Sequence, residues 1–118
     1  MAPPPSPTVI CLGLSAFDHV WTVETIAAPP MKLRATDYRA LGGGMAATAS
    51  VAVARLGGRA LFFGRAGDDL AGRMMRQELA GYGVDVTGFR LFPGARSSVS
   101  GVFVDTKGER LIANFRGA

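Results

Sequence analysis

Three consecutive glycines, Gly42-Gly43-Gly44, stand directly before a run of small residues that ends in Arg55-Leu56-Gly57-Gly58. No other feature restricts the fold as strongly. The run holds Ala46, Ala47, Ala49, Ala52 and Ala54. Alanine has the highest helix propensity, so a helix is expected from Met45 to Leu56. Gly57-Gly58 supplies the left-handed conformation that commonly closes a helix. Side chains this small let the helix lie close against a sheet. Glycines ahead of a helix also let backbone N–H groups approach a ligand, with the positive end of the helix dipole behind them.

Short apolar runs flank this helix. Thr8 to Leu14 reads as a buried first strand of the parallel-sheet kind, with Cys11 as a small buried hydrophobe. Val20, Trp21, Thr22 and Val23 favour a strand over Asp18 to Thr25, broken by Ala28-Pro29-Pro30. Lys32 to Leu41 reads as its return strand. Ala60 to Gly64 is a further buried strand. Asp68 is expected to cap a second helix whose apolar face is Leu70, Met74, Leu79 and Tyr82, ended by Gly81 or Gly83. Thr87 to Phe92 is a third core strand closed by Pro93-Gly94. Val99 to Val104 and Leu111 to Phe115 flank the turn Asp105-Thr106-Lys107-Gly108-Glu109 as a hairpin. Helices between buried strands imply an α/β core with a parallel sheet. The two hairpins do not fit a plain doubly wound sheet and imply a small antiparallel flap beside it.

Composition narrows the chemistry. Of 118 residues, 48% are hydrophobic and 19% charged, enough apolar material for a packed core. The net charge of +4 is spread along the chain without a basic run, which argues against nucleic acid as a partner. With one cysteine and one histidine (Cys11 and His19), no internal disulfide, cysteine metal site or multi-histidine site can form, and no metal ligands are assigned. Residues 1–7 are Pro-rich and lack a positive n-region, so they read as a disordered leader. No apolar run reaches about 18 residues, so no membrane span is expected and a cytoplasmic protein is the default.

The candidate ligand groups are Asp18, Lys32, Gly42, Gly43, Gly44 and Asn114. Asp18 follows the first strand at the carboxyl end, where α/β sheets bind ligands. Its carboxylate can accept hydrogen bonds from sugar hydroxyls or, as is commoner, bond its own turn backbone. Gly42 to Ala47 also fits G-x-G-x-x-A, a weak dinucleotide signal, because Arg65 rather than an acid follows Gly64. A tight turn that needs no side chain is the plain alternative. Lys32 is a point charge for an anion, and Asn114 is an isolated polar residue in an apolar strand.

In combination these segments resemble the ribokinase-like, or PfkB, carbohydrate kinases. The resemblance rests on Gly42-Gly43-Gly44 with Ala46-Ala47-Thr48-Ala49 and Ala52-Val53-Ala54-Arg55-Leu56-Gly57, on Phe63-Gly64-Arg65-Ala66-Gly67-Asp68-Asp69, and on Gly13-Leu14-Ser15-Ala16-Phe17-Asp18. It covers residues 8–118, which the resemblance makes the N-terminal portion of a ribokinase-like fold: a parallel sheet flanked by helices plus a small antiparallel β lid, the lid drawn from about residues 18–41 and part of 98–115. Ala16 and Thr48 stand where the family often has asparagine. Ser97-Ser98-x-Ser100 and Val104-Asp105-Thr106-Lys107-Gly108-Glu109-Arg110 are similar to the sulfofructose kinase branch, where a lid lysine and a strand asparagine, matched here by Lys32 and Asn114, hold a sulfonate.

The resemblance implies transfer of the γ-phosphoryl group of ATP, with Mg²⁺, to a sugar hydroxyl. It also implies a small-molecule sugar as partner and a possible homodimer through the lid. The family's catalytic aspartate lies in a Gly-x-Gly-Asp motif absent from these residues. No catalytic residue is therefore assigned, ATP-binding residues are not expected in this chain, and the chain alone is expected not to turn over substrate. The alternatives are another PfkB-type sugar or nucleoside kinase, a non-catalytic dimerising module and a dinucleotide-binding domain.

Overall fold

A computed structural model describes residues 4–26 and 29–118. The first three leader residues and Ala28 of the expected break lie outside them. The order of elements is β1 (Thr8–Leu12), β2 (Ala16–Thr22), β3 (Asp37–Gly43), α1 (Met45–Arg55), β4 (Arg59–Gly67), α2 (Leu70–Gly81), β5 (Phe89–Phe92), β6 (Val99–Val104) and β7 (Arg110–Phe115).

Two sheets divide these strands. The core sheet is parallel, in the order β1-β4-β5. Its two crossovers run in the same direction across the sheet, so right-handed connections place α1 and α2 on one face. On that face Phe62 and Phe89 meet edge to face at 5.0 Å and join Cys11, Ala47, Ala60, Ala66, Met75, Leu79 and Val84 in the core. The opposite face carries Ile10, Leu12, Phe63 and Phe92, which are 63%, 78%, 38% and 36% exposed. Consequently β1, expected as a buried strand, buries only Cys11 and lies at the sheet's edge.

The lid sheet has the order β3-β2-β6-β7. Each hairpin, β2–β3 and β6–β7, is antiparallel, but β2 and β6 pair in parallel, so the lid is mixed rather than purely antiparallel. The chain enters the lid where Gly13 ends β1 and leaves it through Gly44.

Several expected boundaries shift for physical reasons. The return strand begins at Asp37, not Lys32, and residues 29–36 form a loop whose end is fixed by Thr36 N–H donating to the Thr22 carbonyl at 2.8 Å. Gly42 and Gly43 belong to β3, paired with Phe17 and Ala16, and only Gly44 makes the turn, with φ of 96°. The cap of α2 is Asp69, not Asp68: its Oδ1 accepts the Gly72 N–H at 2.8 Å, while Asp68 pairs with Arg73. The buried stripe of α2 is Gly72, Met75 and Leu79, whereas Leu70 is 71% exposed and Met74 and Tyr82 are also exposed. A Cβ at Gly72 would collide with the Gly67 carbonyl, so the helix packs closest at a residue that hydropathy cannot flag. The first helix runs nearly as expected, with Ala47 and Ser50 facing the core. Asp105 caps the β6–β7 turn by accepting the N–H groups of Lys107 and Glu109.

Candidate functional site

Side chains alternate across a strand, and residues in register share a face. The lid therefore has two unlike faces. One carries Phe17, His19, Trp21, Tyr38 and Phe103. His19 stacks on Trp21 and Tyr38, each at 6.1 Å, its Nδ1 lies 2.8 Å from the Tyr38 hydroxyl, and Trp21 touches Phe103 at 5.7 Å. The other face carries Asp18, Ser100 and Asn114 side by side, because Asp18 is in register with Ser100 and Ser100 with Asn114.

This polar row is wired together. Asn114 Nδ2 donates to the Ser100 hydroxyl at 2.9 Å and to the Val99 carbonyl at 3.3 Å. The Val99 carbonyl can only accept, so it requires the amide nitrogen at this position, which fixes the orientation and leaves Oδ1 as an acceptor. Burial pushes the Asp18 carboxyl above the ordinary carboxylate range, against the opposing effects of the Ser100 hydroxyl and the His19 charge. The Asp18 carboxylate lies against the Cα of Gly43 in the neighbouring strand, since a Cβ there would collide with Asp18 Oδ2. At Gly44 a Cβ would stand 2.5 Å from the Leu14 carbonyl oxygen, so the start of α1 sits tightly on the β1–β2 connection. Only glycine allows both approaches.

The structure thus brings Asp18, Gly43, Ser100 and Asn114 together. Gly42 faces the other way, toward Glu78 of α2, with its missing Cβ 3.4 Å from Glu78 Oε1. Lys32 is not in the row; with Trp21, Leu33, Arg34 and Ala35 it lines a depression at the far end of the lid. The sequence places Ser100 only in a family-like segment and Asp69 only in the first turn of α2, and it gives Glu78 no role. Ser100 was detectable as the one hydroxyl alternating with the apolar residues of β6; the other two depend on contacts 28 to 36 residues away along the chain.

A second cavity of about 510 Å³ opens at the carboxyl ends of β1, β4 and β5, lined by Gly13, Gly64, Arg65, Arg90 and Arg116 among others. Among the described residues no three His, Cys, Asp or Glu side chains are grouped to hold a metal ion. No helix of the described residues is long and apolar enough to cross a membrane.

The sequence that builds this lid and the helix after it matches a known family. The pfkB family carbohydrate kinase pattern spans residues 6–118. The chain belongs to this family. Among its relatives, the aminoimidazole riboside kinase of Salmonella typhimurium is 38% identical over 97 residues, covering 82% of this chain and 30% of that protein. Fructokinase-1 of Oryza sativa is 37% identical over 113 residues, covering 94% and 33%. The chain therefore spans about a third of the length of such pfkB relatives. In three dimensions it superimposes on an Agrobacterium tumefaciens protein provisionally assigned as a ribokinase, with a TM-score of 0.90, 34% identity and coverage of 96% of this chain and 37% of the other. It also matches the Arabidopsis thaliana ribokinase solved with ribose and ATP, with a TM-score of 0.79 and coverage of 96% and 36%; at 24% identity that likeness establishes the ribokinase-like fold alone. The G-x-G-x-x-A segment lies at the end of a lid strand, not in the first strand-to-helix turn of a parallel unit where a dinucleotide fingerprint belongs.

Proposed function

We propose that this chain supplies the sugar-binding part of an ATP-dependent carbohydrate kinase that phosphorylates a sugar hydroxyl. The row of Asp18, Gly43, Ser100 and Asn114 carries the reading. Asp18 and Asn114 Oδ1 are both acceptors and suit the hydroxyl donors of a neutral sugar, while Gly43 lets the ring lie against backbone. ATP supplies the phosphoryl group; the residues described here bind and orient the acceptor sugar. The test is calorimetric titration of the complete protein with fructose, ribose and a riboside, followed by ADP release with the sugar that binds. Binding of none of them sinks the reading.

The finer assignment to 6-deoxy-6-sulfofructose is the second reading. It needs Lys32 as the cation and Asn114 as a donor to the sulfonate. The amide donor of Asn114 is already committed to Ser100 and Val99, which favours the neutral sugar. Tighter binding of sulfofructose than fructose, lost in Lys32→Ala, would reverse that preference. A second copy of the chain is proposed to pack on the lid, where Tyr38, Leu111 and Phe115 are 49%, 54% and 41% exposed. Sedimentation of the complete protein at several concentrations checks it, and a strict monomer contradicts it.

A further inference from the structure

Helix α2 is bonded to the lid at both ends. At its N-terminus, Asp69 accepts the Ser97 N–H at 2.9 Å and the Ser97 hydroxyl at 2.6 Å, just before β6 begins. Near its C-terminus, Glu78 Oε2 accepts the Gly42 N–H at 3.0 Å, just before β3 ends. Strand β3 is an edge strand, so a backbone N–H directed away from β2 has no ladder partner. Glu78 supplies that partner from 36 residues away in sequence. The contact closes one wall of a cavity of about 170 Å³ lined by Ser15, Thr48, Met75 and Tyr82 among others. The next residue, Gly43, is the one against which the Asp18 carboxylate lies.

We infer that Glu78 is a positioning residue for the sugar site: by holding the Gly42 amide it fixes the place of Gly43 against the Asp18 carboxylate. The inference rests on the sugar-kinase reading for its effect on binding, but not for the clamp itself. Glu78 is only partly buried and touches none of the row, so it acts through the backbone. Asp69 holds the other root of the lid, so loss of Glu78 frees one hinge rather than detaching the lid.

The experiment compares Glu78→Leu, which keeps bulk but cannot accept a hydrogen bond, with Glu78→Gln, whose amide oxygen still can. In the complete protein, Glu78→Leu is expected to speed hydrogen exchange at the Gly42 amide and to raise the KM for sugar, each about tenfold, as befits one hydrogen bond to a charged acceptor. The KM for ATP, kcat and the melting temperature stay near wild type. Glu78→Gln restores both Gly42 protection and sugar KM. The inference is overturned if Glu78→Leu leaves sugar KM unchanged, if Glu78→Gln behaves like Glu78→Leu, or if kcat and both KM values move together with melting temperature. If the wild type phosphorylates no sugar, the functional reading falls separately. Gly42 exchange then decides the clamp, and unchanged exchange in Glu78→Leu rejects it.

Discussion

The core sheet and the lid sheet bury different chemistry. Beneath α1 and α2 the core packs Phe62, Phe89, Met75 and alanines, and the deeply buried polar side chains there are satisfied locally: Ser50 donates to the Ala47 carbonyl at 2.6 Å and Ser15 to Met75 Sδ at 3.1 Å. At the lid's roots and middle the buried polar groups are Ser97, Ser98 and Ser100, while its outer strand β7 is exposed along its whole length. Stability is concentrated where helices cover a sheet. Ligand-directed groups are concentrated in a thin sheet held by hydrogen bonds at its margins. The raised pKa of Asp18 fits this division, because a carboxylate held partly out of water for a ligand is a local cost to the fold.

The largest expected contrast comes from truncation. Phe62→Ala, at a side chain with no exposure, should cost about 3–5 kcal/mol, whereas Ile112→Ala on the 55% exposed lid strand should cost less than about 1 kcal/mol, both read by equilibrium unfolding of the complete protein. Equal losses would break the comparison. Gly43→Ala should do the reverse. It drives a methyl group into Asp18 and should weaken sugar affinity roughly 100-fold with little change in unfolding midpoint.

Asp69→Ala should have a smaller effect, about 1–2 kcal/mol of stability, because it removes both a helix cap and the anchor of β6. Burial works to raise the Asp69 pKa, but hydrogen bonds from Ser97 and Gly72 outweigh it and hold the carboxyl below its usual range. A lowered folded pKa makes the ionised group stabilising at any pH above its unfolded value. That stabilisation disappears as pH falls through the folded value. The wild-type and Asp69→Ala stability curves should therefore stay apart at neutral pH and converge only in acid below the ordinary carboxylate range.

Much of this was legible in the chain itself. Alanine content fixed α1 nearly to its ends, and the apolar runs located the three core strands. The ribokinase-like fold was implied by the resemblance that the glycine and aspartate motifs carry, and the family match and the superpositions bear it out. The rest turned on contacts distant in sequence. Which of Asp68 and Asp69 caps α2 depends on Ser97 reaching back to Asp69. The inward face of α2 depends on Gly72, whose contribution is the absence of a side chain. The start of β3 falls later than the sequence suggests because residues 29–36 carry no strong turn signal after the prolines. Ser100 acquires its place only through register with Asp18 and Asn114, which parallel pairing of β2 and β6 imposes and local patterning does not encode.

The polar row can be tested most directly with Asp18→Asn in the complete protein, measured for both sugar affinity and stability. A folded pKa raised by burial means that ionised Asp18 destabilises the fold at neutral pH and that this cost is relieved as pH falls through the raised value. The account predicts that Asp18→Asn loses sugar affinity by about 100-fold, as expected when a charge-assisted acceptor is removed, while unfolding at neutral pH is unchanged or shifted to higher stability. Unchanged sugar affinity in a folded Asp18→Asn protein would contradict it.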